Sequence, residues 1–216
     1  MIKLDDVTKY FYSRKSGIRL FGIPEKTVAL DSVNISFAEN TTALILGANG
    51  AGKTTLLKTI AGLILPDKGS VLSPRGDMSF LSSEMNGFYP QLTARENLSF
   101  FISVYGIDPE EAAGSIDEYS EKLGIPGLDT PFWHSSTGNK RKLLILRTLI
   151  LDRKLILLDE PMKSLDNDST SRVCRLLGEI RDKRTKTILI AAHSADHFGD
   201  LPDSIVHLDR GRTVAR

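Results

Sequence analysis

Residues 47–54 read Gly47-Ala48-Asn49-Gly50-Ala51-Gly52-Lys53-Thr54, between a short apolar run at 41–46 and a stretch of helical spacing at 53–65. This is G-x-x-x-x-G-K-[ST] in the strand–turn–helix context that gives the pattern meaning. Glycines let main-chain N–H groups turn inward around phosphate oxygens. The helix that follows adds its positive N-terminal end. Lys53 is expected to bridge the β- and γ-phosphates and Thr54 to ligate Mg²⁺ through its hydroxyl, with Thr55 beside them. The alternative, a glycine-rich turn with a chance Gly-Lys-Thr, leaves the flanking strand and helix without a purpose.

Around this loop the chain alternates short apolar runs with helical patterns. Strands are expected at 2–7, 28–37, 41–46, 78–81, 155–158 and 187–192, with Asp31-Ser32 a weak point in the second. A hairpin is expected at 204–214, turning at Asp209-Arg210-Gly211. Helices are expected at 53–65, 93–105, 108–123, 139–151 and 169–183; Thr93 with Glu96 forms a capping box and Pro109 sits in a first turn. Such alternation predicts an α/β fold with a mostly parallel sheet. Between 84 and 135 the strand signal vanishes, so one domain is expected, with a core of 1–83 and 136–216 and an inserted helical lobe at 84–135. The excursion at 13–26 reads as a solvated loop or hairpin, or as a partner- or lipid-facing element, because Ile18, Leu20, Phe21 and Ile23 stand among its charges.

A second feature selects a chemistry for the loop. Residues 155–158 are Leu-Ile-Leu-Leu, followed by Asp159 and Glu160. A buried strand delivers both acids to its carboxyl end, where ligands of open α/β sheets bind. Asp159 is expected to hold Mg²⁺ and Glu160 to polarise an attacking water. Phosphoanhydride hydrolysis asks for positioning and charge stabilisation more than for covalent chemistry.

With these residues in place the chain resembles the ATP-binding cassette family, the nucleotide-binding subunits of ABC transporters, over nearly its whole length. Ser135-Ser136-Thr137-Gly138-Asn139 resembles the family signature LSGGQ, and Lys140-Arg141-Lys142 its basic extension. Ser164-Leu165-Asp166 resembles the D-loop, His193 the switch histidine, and Phe11, with Tyr10 and Tyr12 as alternatives, the aromatic that stacks on adenine. The resemblance implies a P-loop NTPase core with an N-terminal antiparallel β subdomain. It also implies ATP with Mg²⁺, and a head-to-tail homodimer in which Ser136, Thr137, Gly138 and Asp166 close over the partner's nucleotide. Motion would pass to separate membrane-spanning permease subunits through the groove after 78–81, with the cassette peripheral on the cytoplasmic face.

Departures from the family pattern stand at Ser135, Thr137 and Asn139 in the signature and at Ser83, where the Q-loop glutamine belongs. Glu84, next to it, is expected to take up part of the Mg²⁺ or water contact. Residues 87–98 resemble exporter-type cassettes for drugs, lipids, polysaccharides or haem. Met85, Phe88 and Tyr89 are either lobe core or a socket for a coupling helix; Phe100, Phe101 and Tyr105 read as core. The rival function is a soluble ABC-type ATPase switch on nucleic acid or ribosomes. Near-balanced charge, 28 basic against 27 acidic residues, gives it no support and no nucleic-acid partner is expected. The single cysteine, Cys174, excludes an intrachain disulfide framework. No run of about 18 apolar residues occurs, and no secretory leader is expected.

Overall fold

The computed structural model describes residues 1–13, 25–74, 76–84 and 87–214. Its elements in chain order are β1 (Ile2–Ser13), β2 (Glu25–Phe37), β3 (Thr42–Leu46), α1 (Lys53–Ile60), β4 (Lys68–Leu72), β5 (Met78–Leu81), α2 (Ala94–Val104), α3 (Pro109–Lys122), α4 (Thr137–Ile150), β6 (Leu155–Asp159), α5 (Asn167–Asp182), β7 (Thr187–Ala192), β8 (Ser204–Asp209) and β9 (Arg212–Val214). Six strands form one sheet in the order β5-β6-β7-β3-β8-β9, parallel up to β8, with β9 turning back antiparallel. The other sheet, β2-β1-β4, is antiparallel.

The unbroken apolar runs explain why the parallel sheet lies in the middle. Every residue of β6 and β7 is buried, as strands covered on both faces require. Leu155 and Leu157 point into a core shared with Leu56, Leu57 and Ile60 of α1 and with Val7, Leu30 and Val33 of the antiparallel sheet. Ile156 and Leu158 point the other way, into a core built by α4, α5 and the helices α2 and α3. The two-residue period of a strand thus feeds two cores from one run of four apolar residues. α1 is clasped between the two sheets, which fixes the loop that precedes it.

Three elements differ from the sequence expectation. β1 continues past Val7 to Ser13, because register shifts on either side of Val7 and a left-handed Asp6 (φ 49°) break the alternation midway. A bulge flips the phase of the pattern without ending the strand. α1 stops at Ile60, short of 65, where Gly62 turns left-handed (φ 71°). β4 was not foreseen; its residues are mostly exposed, so no apolar periodicity marks it, and Gly69 (φ 78°) packs where a Cβ would lie 2.3 Å from the Asp5 and Asp6 carbonyl oxygens.

Between 84 and 135 the described chain has no strand, only helices joined by turns and one isolated bridge, Thr93 with Pro131. The capping box forms: Thr93 Oγ1 accepts from Glu96 N, and Glu96 accepts from Thr93 N. Phe88 is buried, edge-on to Phe132 at 4.7 Å, while Tyr89 is half exposed against Phe100. Core and surface therefore divide between these two neighbours; Met85 lies outside the described residues. Phe100 and Tyr105 are also exposed, contrary to the core expectation, and only Phe101 packs on the core. Of the 13–26 excursion, Ser13 pairs with Glu25 and Tyr12 with Lys26, and the rest lies outside the described residues. The hairpin turns as expected, on Arg210 (φ 45°) and Gly211 (φ 79°).

Candidate functional site

The loop leaves β3 at Gly47 and enters α1 at Lys53. Gly47 and Gly52 are required by crowding. A Cβ on Gly47 would lie 2.4 Å from the Leu208 carbonyl oxygen, and one on Gly52 would lie 2.3 Å from that of Ala29. Gly52 is also left-handed (φ 103°) and caps α1 without a side-chain hydrogen bond. The first N–H groups of α1 therefore have no side-chain acceptor at the cap, which suits an anion. Ala51 N donates to Ala48 O, closing the turn from inside, and Gly211 N donates to Ala51 O, holding it from outside.

Lys53 is buried beneath the loop. Its Nζ donates to Gly47 O at 2.7 Å and Ala48 O at 3.2 Å, and pairs with Glu160 Oε1 at 3.3 Å. Glu160 stands one residue beyond β6 with φ 50°, a left-handed conformation that a non-glycine residue holds only under constraint. Its N donates to Ala191 O, in β7. Its second oxygen lies 3.0 Å from His193 Nδ1, and an ionised Glu160 accepts a hydrogen bond from Nδ1–H. Lys53, Glu160 and His193 thus form one chain of contacts, drawn from the start of α1 and from the ends of β6 and β7.

Asp159 is fully buried at the end of β6, and its Oδ2 accepts from Thr54 Oγ1 at 2.9 Å. Asp159 Oδ1 is one of three buried side-chain oxygens that lack a hydrogen-bond partner among the described residues. A buried, unpartnered carboxylate oxygen beside a threonine hydroxyl fits a small divalent cation. Among the described residues no cluster of three or more His, Cys, Asp or Glu forms a metal cage. Glu84 N donates to Ser82 Oγ, at the end of the segment that follows β5. A cavity of about 360 Å³ opens beside Asn49, Glu160, Ser164 and His193.

The remaining expected residues lie apart from this cluster. Ser136 caps α4, its Oγ accepting from Asn139 N, and Thr137 is exposed on the first turn. Gly138 approaches Ser164, where a Cβ would meet the carbonyl oxygen at 3.4 Å. No hydrogen bond among the described residues joins 136–138 to 47–54. Asp166 caps α5 and accepts from Ser169 N at 2.7 Å; that bond holds its carboxyl below the usual range. Phe11 is 42% exposed on β1 and Tyr12 63%, whereas Lys26 covers Tyr10 at 3.4 Å. Sequence reasoning left Arg141 in a basic run. It is fully buried and bonds to the main chain of both acids, and the only sequence signal was a charge on the face of α4 that carries Leu144 and Ile145.

A family model described as ABC transporter matches residues 30–163. The ABC transporter ATP-binding protein NatA of Bacillus subtilis is 29% identical over 228 residues, covering 100% of this chain and 89% of the relative. The osmoprotectant import ATP-binding protein OsmV of Salmonella typhimurium is 28% identical over 99% of this chain and 58% of the relative. Among solved structures, the dimeric bacterial ABC transporter cassette MJ0796 superposes with a TM-score of 0.85 at 25% identity, covering 100% of this chain and 97% of that one. A post-hydrolysis dimer of the same cassette, bound to ADP and Pi, superposes at 0.83. A triphosphate loop facing two acids at a strand end is what such a cassette needs, and with this match over most of its length the chain belongs to the ABC transporter family as an ATP-binding cassette.

Proposed function

We propose that two copies of this chain close head to tail over two ATP molecules, hydrolyse them, and drive a membrane transporter whose spanning subunits are separate chains. The observation that carries this reading is the division of the site. Lys53, Thr54, Asp159, Glu160 and His193 gather at the loop, while 136–138 stand at the start of α4 with no hydrogen bond to that loop among the described residues. A second copy's nucleotide is the ligand that this helix start suits, since exposed N-terminal N–H groups favour phosphate.

In this reading the nucleotide enters by displacing Lys53 from the Gly47 and Ala48 carbonyls. Lys53 and the start of α1 then hold the β- and γ-phosphates. Glu160 orients a water in line with the γ-phosphate and accepts its proton. His193 holds Glu160 through Nδ1 and faces the γ-phosphate. Thr54 and Asp159 would hold Mg²⁺, which would supply charge neutralisation at the phosphates. Phe11 offers the exposed ring for adenine, and Ser136, Thr137, Gly138 and Asp166 serve the partner's nucleotide. Residues 84–135 act as the lobe that turns on the 1–83 and 136–216 core.

No described helix is long and apolar enough to cross a membrane. A groove of about 330 Å³ lined by Leu63, Met78, Phe80, Phe101 and Tyr105 together with Arg147 offers a seat for a spanning subunit on the cytoplasmic side. The 87–98 segment supports export. Purifying the tagged chain from detergent-solubilised membranes tests the assignment. A spanning protein of about six apolar segments is expected to co-purify, and recovery with nucleic acid from a membrane-free fraction would favour the soluble switch instead.

Thr137 puts a β-branched side chain where the partner's phosphate must approach. Thr137→Gly is expected to tighten the ATP-bound dimer about three- to tenfold, equivalent to about 0.6–1.4 kcal/mol. Light scattering in a Glu160→Gln background checks it, and an unchanged dimer constant counts against the contact.

A further inference from the structure

Arg141 takes no part in the chemistry just described, yet it is 1% exposed and among the largest fully buried side chains. It stands on α4 one turn after Ser136–Gly138. Its guanidinium donates from Nη1 to Ser82 O at 2.7 Å, from Nη2 to Asp159 O at 2.6 Å and Glu160 O at 2.7 Å, and from Nε to Pro161 O at 3.2 Å. Among the described residues it has no carboxylate in ion-pair contact. Burial pushes the guanidinium down to about 10, opposed by the charges of Asp159 and Glu160. If the site needed only filling, an apolar side chain would do so without burying a charge.

The four acceptors belong to two segments that the catalytic site must keep in register. Ser82 lies just past the end of β5. Asp159, Glu160 and Pro161 form the strand end that presents both acids. Glu160 holds its left-handed conformation between two anchors, its own N on Ala191 O and its carbonyl oxygen on Arg141. The second anchor comes from the helix whose first turn bears 136–138.

We propose that Arg141 is a positioning residue: it locks the Glu160 peptide so that the carboxylate faces the γ-phosphate, and it ties that geometry to the orientation of α4. Engagement of the α4 start by a partner's nucleotide is thereby felt at the group that handles the attacking water. The inference rests on the reading of Glu160 as that group.

The test is a double-mutant cycle with Arg141→Gln and Arg141→Lys. The second keeps a cation but cannot reach four acceptors at once, and it serves if the first does not fold. Each single variant that folds, judged by circular dichroism and thermal unfolding, is expected to lose about tenfold or more in kcat while KM and the affinity for a fluorescent ATP analogue stay within about threefold. Combined with Glu160→Gln, each is expected to add less than about twofold to the loss, read from radiolabelled ATP over hours, because a residue acting through Glu160 has nothing left to position. A tenfold further loss in the double variant, or a native kcat in the singles, overturns the proposal. A native rate for Glu160→Gln alone would instead remove the reading of Glu160 on which it rests.

Discussion

Lys53→Ala is expected to abolish nucleotide binding. Among the described residues the ammonium is the only cation hydrogen-bonded to the turn: it already satisfies two of the turn's carbonyls and the Glu160 carboxylate, and is 6% exposed. A triphosphate tail replaces those partners with two anionic oxygens. Hydrogen bonds to charged groups contribute about 1.5–3 kcal/mol each. Losing two costs about 3–6 kcal/mol, or roughly 10²- to 10⁴-fold in affinity. Calorimetric titration with ATP in the presence of Mg²⁺ measures this directly. Affinity equal to that of the unaltered chain would contradict the assignment of 47–54 to phosphate binding. The variant also leaves Gly47 O, Ala48 O and Glu160 without their shared donor, so a modest drop in urea midpoint is expected alongside.

Glu160→Gln is expected to stop turnover and leave binding intact. The carboxylate is the only group in the cluster able to take a proton from water while resting against both a lysine and a histidine. A glutamine keeps the shape and loses the basicity, and general-base contributions run about 10²–10⁴-fold in kcat. Removing a negative charge beside the phosphates does not weaken ATP, so the nucleotide stays and so does the sandwich. Release of phosphate should fall by that factor while light scattering reports a dimer stable in ATP and Mg²⁺. A variant that hydrolyses at the native rate shows that another group handles the water.

Much of this could be read from the chain before any coordinates. The loop, β3, β6 and β7 were legible because strands buried on both faces are written as nearly uninterrupted apolar runs, and because the turn chemistry between β3 and α1 admits few residue types. The Thr93–Glu96 cap and the Arg210–Gly211 turn were legible for the same reason, since a local geometry demands a local residue. β4 was not, because Lys68–Leu72 is exposed on an edge and its partner β1 carries the information. The second half of β1 was hidden by the bulge near Val7, which inverts the pattern a reader follows.

At the site the split is similar. Lys53, Thr54, Asp159 and Glu160 follow from motif and strand-end position, and the structure joins them through bonds the sequence cannot measure. His193 needed the resemblance, since a histidine after an apolar strand is ordinarily structural. Arg141 was missed because its meaning lies wholly in what surrounds it: four carbonyls from distant segments leave no trace in the local pattern. The surface of Phe100 and Tyr105 was misread as core because helical spacing alone does not say which face is covered.

The hairpin of β8 and β9 has a consequence for the order in which the molecule is made. Gly211 N reaches back to Ala51 O, and its carbonyl oxygen takes the N–H of Asp31, so the cradle near one end of the chain is braced by a turn near the other. Contacts between such distant segments close late, after the loop-closure entropy has been overcome. A nascent chain that has not yet extended past the turn holds all eight residues of the motif and still lacks their outer brace.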